Sequence, residues 1–183
     1  MEVRFRDASP ERVKAGLLVI PVREKKMDEP EIRALDRSLR GNLRARIQKA
    51  KFLGAEGSAL LYTSAGFLPA GQLLLIGMGS DSEIGPETWR KTGARARREA
   101  AAIGAEDVAI FFASDRNGER AVGALVEGAQ LAAYQFNKYR TNNKPAAEIK
   151  CLTLFKPGLK QTAALQKVVE TAQTIVPGVF LER

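Results

Sequence analysis

Six short apolar runs bounded by turn residues alternate along this chain with four stretches of helical periodicity. The runs cover residues 3–5, 17–22, 59–63, 73–76, 108–113 and 152–155, and their length and flanking Gly, Pro and Asn residues predict strands. Helical spacing covers 30–49, 86–103, 119–139 and 162–176. In the first of these, Ile32, Leu35, Leu39, Leu43 and Ile47 fall on one side, with Pro30 near the start and Gly54 soon after the end. In the third, Val122, Leu125, Val126, Ala129, Ala133 and Phe136 form a second apolar face.

Strands separated by helices imply a sheet covered on both faces, and the uninterrupted run Leu73-Leu74-Leu75-Ile76 fits a strand buried on both sides. The runs at 59–63 and 73–76 follow one another with no helix between them, so the sheet is expected to be mixed. The pattern therefore predicts an α/β, three-layer α/β/α fold on a sheet of about six strands. Periodicity alone leaves flavodoxin-like and Rossmann-like strand orders equally open. No internal repeat or low-complexity segment divides the chain, and its 183 residues suit one domain. The polar run Thr141-Asn142-Asn143-Lys144-Pro145 is the expected flexible excursion.

Composition narrows the chemistry. Hydrophobic residues make up 45% and charged residues 27%, the balance of a water-soluble globular chain, and the longest early apolar run, 17–22, is broken by Pro21. Neither a signal peptide nor a membrane span is expected, and a reducing cytoplasm is the expected compartment. The single cysteine, Cys151, has no partner for an internal disulfide, and its apolar neighbours predict a small buried hydrophobe. There is no histidine, which removes the commonest metal ligand and general base; with one cysteine, a thiolate zinc site is excluded as well. Carboxylates remain, but Asp28, Glu29 and Glu31 surround Pro30, and Asp81, Glu83 and Glu87 surround Pro86, where acids are favoured at a helix start.

Two features could bind anions. Gly77-Met78-Gly79 follows a buried strand and precedes a helix, where backbone amides can cradle a phosphate of an ADP-ribose-like ligand. Ser82 stands where a dinucleotide fingerprint needs its third glycine, and no Gly-Lys-Ser/Thr is present, so glycines that permit a tight turn are the simpler reading. The second feature is charge. Segment 30–53 carries +5 and segment 86–104 carries +3, together the whole of the net +8. Arg33, Arg37, Arg40 and Arg44, spaced four, three and four apart, would form one guanidinium stripe on a single helix 30–49, suited to phosphates of DNA or RNA. A solvated face, or one paired with acids of a neighbouring subunit, is the plainer alternative.

The segment Glu127-Gly128-Ala129-Gln130-Leu131-Ala132-Ala133-Tyr134-Gln135-Phe136-Asn137-Lys138-Tyr139-Arg140 has more than periodicity. It resembles the Glu-Gly-x-x-Leu-Ala-x-Tyr-x-Phe-x-x-Tyr-Lys run that closes a long helix in the N-terminal domain of the cytosol (leucyl) aminopeptidase family. Segments 17–22, 51–57, 73–79 and 87–98 fall in the order of that family's early strand, basic-apolar turn, Leu-Leu-x-Gly-x-Gly loop and arginine-rich helix. Gly178-Val179-Phe180-Leu181-Glu182-Arg183 resembles the family's Gly-Val-Asn-Leu-Ala-Arg, departing at Phe180 and Glu182, which leads into the catalytic half.

The resemblance implies a macro-domain-like fold over 1–176 and the start of a linker over 177–183. It implies a non-catalytic module for assembly and interaction, whose parent is a two-metal exopeptidase removing N-terminal residues such as leucine. The two divalent metals, zinc or manganese, would lie in the catalytic domain, because the family's Asn-Thr-Asp-Ala-Glu-Gly-Arg segment and its lysine–aspartate set are absent from residues 1–183. The implied partners are that catalytic domain and the neighbouring subunits of a homo-hexamer. Some bacterial members also bind DNA, which the arginine stripe would suit.

Overall fold

The structure is a computed structural model describing residues 1–112, 118–138 and 148–181, the side chains of 133–138 and 175–181 excepted. Six strands form one sheet: β1 (Glu2–Asp7), β2 (Leu17–Arg23), β3 (Ala59–Thr63), β4 (Gln72–Gly79), β5 (Asp107–Phe111) and β6 (Cys151–Lys156). Their order is β1-β6-β5-β2-β4-β3. Every neighbouring pair is parallel except β3 with β4, the hairpin implied by two strands with no helix between them. The helices are α1 (Pro30–Ser38), α2 (Asn42–Ala50), α3 (Pro86–Ile103), α4 (Gly118–Lys138) and α5 (Ala163–Leu181).

The period-two alternation of the central strands divides the core in two. Leu17 and Val19 of β2, Leu74 and Ile76 of β4 and Val108 and Ile110 of β5 point to α3, α4 and α5. Leu18 and Ile20, Leu73 and Leu75, and Ala109 and Phe111 point to α1 and α2. Both layers are apolar and buried, so the expected α/β/α arrangement on a six-stranded mixed sheet is the observed one. Trp89 packs against Phe112 in the first layer, ring centroids 5.3 Å apart, and Phe111 against Phe155 in the second, 5.6 Å apart.

Three expectations need correction. The helix predicted over 30–49 is two helices of nine residues each. Arg40 (φ 55°) and Gly41 (φ 82°) take the left-handed conformation that ends a helix, and the Gly41 amide donates to the Asp36 carbonyl at 2.9 Å. The Asp36 carboxylate then accepts from the Arg44 amide at 2.9 Å, satisfying an otherwise orphaned donor in the first turn of α2. Leu39 and Leu43 stay buried across the break, so apolar spacing could not reveal it. Cys151 is half-buried rather than buried, because at the start of β6 it alternates with the buried Leu152 and Leu154. Finally, α5 continues to Leu181 instead of stopping at 176; Pro177 removes one amide donor while the helical backbone runs on either side of it. Tyr139, Arg140 and the 141–145 excursion lie outside the described residues, as do Glu182 and Arg183.

Candidate ligand and interaction surfaces

The carboxyl ends of parallel strands are where open α/β sheets present backbone to a ligand, and Gly77 and Gly79 lie at that end of β4. Both amides are spent within the protein. Gly77 N–H donates to the Ser58 carbonyl at 2.8 Å, and Gly79 N–H to the Gly54 carbonyl at 3.0 Å. The carbonyls are engaged too: Gly77 accepts from Gly57 at 3.2 Å and Gly79 from Glu24 at 2.9 Å. A Cβ on Gly77 would overlap the Ala55 carbonyl oxygen and the Ser58 hydroxyl, while Gly79 sits at φ 79°. These glycines therefore let loop 54–58 lie directly on the strand end, with no amide at either position free for a phosphate.

Beside this loop, Arg23 at the end of β2 clasps two acids from different segments. Its Nε lies 2.9 Å from Glu29 Oε1 and its Nη1 3.2 Å from Asp81 Oδ1, tying the start of α1 to the β4–α3 loop. The hydrogen bond to Glu29, with that to Asp81, raises the Arg23 pKa against the opposing effect of burial. Acids expected at helix starts thus hold arginines: Glu29 precedes α1 but makes no side-chain cap, and Asp28 pairs with Arg44. Burial pushes the Glu31 carboxyl above its usual range, and Glu29 nearby adds to that. Among the described residues no three His, Cys, Asp or Glu side chains converge on a point that could hold a metal ion.

The four arginines of segment 30–53 do not act as one stripe. The turn at Arg40–Gly41 separates the first three from Arg44, which is paired with Asp28 and lies 3.7 Å from Asp36. Arg40 is exposed and sits over the Phe67 ring, 5.1 Å from its centroid; Phe67, from the β3–β4 turn, is itself 46% exposed. Arg33 and Arg37 are exposed, with no carboxylate in ion-pair range among the described residues. Phe67 is the residue that sequence reasoning missed: it lies far along the chain, and only the hairpin brings it to the arginines.

Most of the charge on α3 is used internally. Arg90 is held by Glu87 and by Glu127 of α4 at 3.0 Å, Lys91 by Glu56 at 2.8 Å, and Arg95 by Glu99 at 2.7 Å. Burial lowers the pKa of the half-buried Arg97. The Arg90–Glu127 pair marks the crossing of α3 and α4, where a Cβ on Gly128 would overlap the Arg90 carbonyl and one on Gly93 the Leu125 carbonyl. An open groove of about 360 Å³ lies between α4 and α5, lined by Gly123, Glu127, Lys167, Val168 and their neighbours.

Comparison with known proteins places this geometry. Residues 19–143 match the cytosol aminopeptidase family, N-terminal domain. A probable cytosol aminopeptidase of Alkaliphilus oremlandii is 29% identical over 188 residues, covering 100% of this chain but 38% of that protein. The chain thus spans well under half the length of such relatives. A mutant of tomato leucine aminopeptidase superposes with a TM-score of 0.84 at 22% identity, over 100% of this chain and 37% of that one. A Trypanosoma brucei macrodomain solved in complex with ADP superposes with a TM-score of 0.62 at 14% identity, over 94% and 69% respectively, which shows a shared macro-like fold. The match over residues 19–143 establishes that this chain belongs to the cytosol aminopeptidase family and corresponds to its N-terminal domain.

Proposed function

We propose that this chain is the non-catalytic N-terminal domain of a leucyl aminopeptidase, serving assembly and interaction in the cytoplasm while the catalytic half of the parent enzyme holds two divalent metals. The observation that carries the reading is the family match over most of the chain, in a segment equivalent to 38% of a relative's length. The donor set supports it, since two-metal hydrolysis needs several ligands bridging a pair of ions. This chain has no histidine, and Glu29 and Asp81 are already held by Arg23, and Asp28 by Arg44. That donor set favours a place for the metals in the catalytic half. A homo-hexamer is the assembly that the family resemblance implies.

Purified chain incubated with leucine anilide and zinc or manganese should give no turnover above a metal-only blank. Co-expression with the catalytic half of a family member should yield a stable complex. Turnover by this chain alone, or failure of the two halves to co-purify, would count against the reading.

A second reading has a specific observation behind it: Arg33, Arg37 and the Arg40–Phe67 pair form an exposed basic surface with one aromatic ring. Such a surface suits weak, sequence-independent contact with nucleic-acid phosphates. With three arginines contributing, the log–log salt slope on duplex DNA should be about −3. No binding at about 20 mM salt, where screening is slight, removes this reading.

A further inference from the structure

The two edges of the sheet are defended unequally. β1 at one end carries Glu2, Arg4, Arg6 and Asp7, four charges in six residues, of the kind that keep an exposed strand from pairing with another chain. β3 at the other end reads Ala-Leu-Leu-Tyr-Thr. From residue 57 to residue 80 the sequence contains no charged residue at all, in a chain that is 27% charged. Burial accounts for this in β4, whose residues are nearly all inaccessible, but not in β3, where Ala59, Leu61 and Tyr62 are half-buried and Thr63 is exposed.

Hydrogen-bond alternation fixes which groups the edge presents. Gly77 N–H donates to the Ser58 carbonyl, and Ser64 N–H to the Gly71 carbonyl. Positions 58, 60, 62 and 64 therefore face β4, leaving the N–H and C=O groups of Ala59, Leu61 and Thr63 directed outward. β3 is the last strand of the sheet among the described residues, and none of these supplies a further strand to receive them. Ala59 and Leu61 pack on the α3 side and Tyr62 on the α1–α2 side, so the helical layers cover each of them only in part.

We propose that the β3 edge is an interface with a second copy of this chain, β3 pairing antiparallel with β3 about a twofold axis through Leu61 to give a continuous twelve-stranded sheet. In this register Leu61 lies opposite its own copy, Ala59 opposite Thr63, and no like charges meet. Each outward N–H and C=O of the three positions gains a partner. A second copy fits better than a domain joined through α5. Gln173 of α5 donates to the Met1 carbonyl at 3.1 Å, placing that helix at the β1 edge, about 24 Å from β3 across five strand spacings.

The test is the mass of the 183-residue chain in solution at about 0.15 M salt, followed by light scattering or sedimentation. An interface of this small size predicts association in the micromolar range or weaker, so the weight-average mass should climb from 19.9 kDa with concentration, towards twice that value. Thr63→Pro removes one outward donor and leaves the β4 ladder untouched, and should keep the chain monomeric. Thr63→Lys, which places a charge on the edge, should do the same if the proline variant fails to fold by circular dichroism. Leu61→Cys in a Cys151→Ser background should be joined to its copy by a short bis-maleimide reagent, since hydrogen-bonded antiparallel pairs hold Cα atoms about 5.5 Å apart, within reach of such a linker though with Cβ atoms wider than a disulfide prefers. A chain that stays monomeric to about 1 mM, where even interactions of about 4 kcal/mol show, overturns the proposal. So does a dimer indifferent to both Thr63 variants, or one in which the Leu61→Cys variant forms no cross-link.

Discussion

On one face of the sheet α3 and α4 touch backbone to backbone through Gly93 and Gly128, whereas on the other α1 and α2 are short, meet at a left-handed turn, and send Arg33, Arg37 and Arg40 into solvent. Charge follows the same division. The α3–α4 layer consumes its cations in pairs such as Arg90–Glu127, which staples the two helices beside their closest approach. The α1–α2 layer keeps Arg33, Arg37, Arg40 and Arg46 without a carboxylate in ion-pair range among the described residues. One layer is built for fixed geometry, and the other leaves its charge exposed to solvent.

The largest effect should come from the crossing. Gly93→Ala or Gly128→Ala drives a methyl group into a backbone carbonyl that cannot rotate away, so each should cost about 3 kcal/mol or more, or prevent folding. Urea denaturation measures it; a loss under about 1 kcal/mol would mean that the helices do not cross as described. The same substitution at Gly41 sharpens the contrast. A Cβ there meets nothing within 4 Å, so Gly41→Ala carries only the strain of φ 82° and should cost about 1 kcal/mol. If the two costs proved equal, the backbone contact at the crossing would not be what distinguishes the layers.

A smaller effect is expected where charge is exposed. Arg33→Gln and Arg37→Gln should each leave stability unchanged within about 0.5 kcal/mol, because neither side chain has an ion-pair partner to lose among the described residues. A loss well above that in a thermal melt would show that these arginines support the fold and are not available for partners.

What the sequence made legible follows from what each feature depends on. Strands and helices announced themselves because burial imposes a local period, and β3 falls on the predicted residues 59–63. The break at Arg40–Gly41 hid inside a sound apolar period, since Leu39 and Leu43 are buried whether the helix is straight or bent; the sign was Gly41 followed by Asn42, a C-terminal glycine read over because the pattern continued. At the surfaces the sequence said less. Arginine spacing is a helical argument, and it lost meaning once the helix divided. The Arg40–Phe67 contact, the Arg23 clasp on Glu29 and Asp81, and the meeting of Gly93 with Leu125 all join distant segments, so no local pattern encodes them. Gly77 and Gly79 were legible as glycines of a tight strand end, but that loop 54–58 is what covers them was not.

The finest test of the α1–α2 layer is Glu31, on the first turn of α1. Burial raises its pKa and outweighs a backbone hydrogen bond that lowers it; the neighbouring Glu29 adds to the rise, and Arg23 opposes it. A carboxyl whose folded pKa lies above its unfolded value binds its proton more tightly in the folded chain, so stability falls as pH rises through the interval between the two values and stays lower above it. Glu31→Gln removes that ionisation and keeps the size and hydrogen-bonding capacity of the side chain. It should therefore raise Tm slightly at about pH 7, and the gain should vanish near pH 3, about a unit below the usual glutamate pKa, where both side chains are neutral. Melting curves of the two proteins across that range read the difference directly. A variant less stable than wild type at neutral pH would mean that the ionised Glu31 is held by a favourable contact stronger than its burial, and that α1 is anchored by charge more firmly than its exposed arginines suggest.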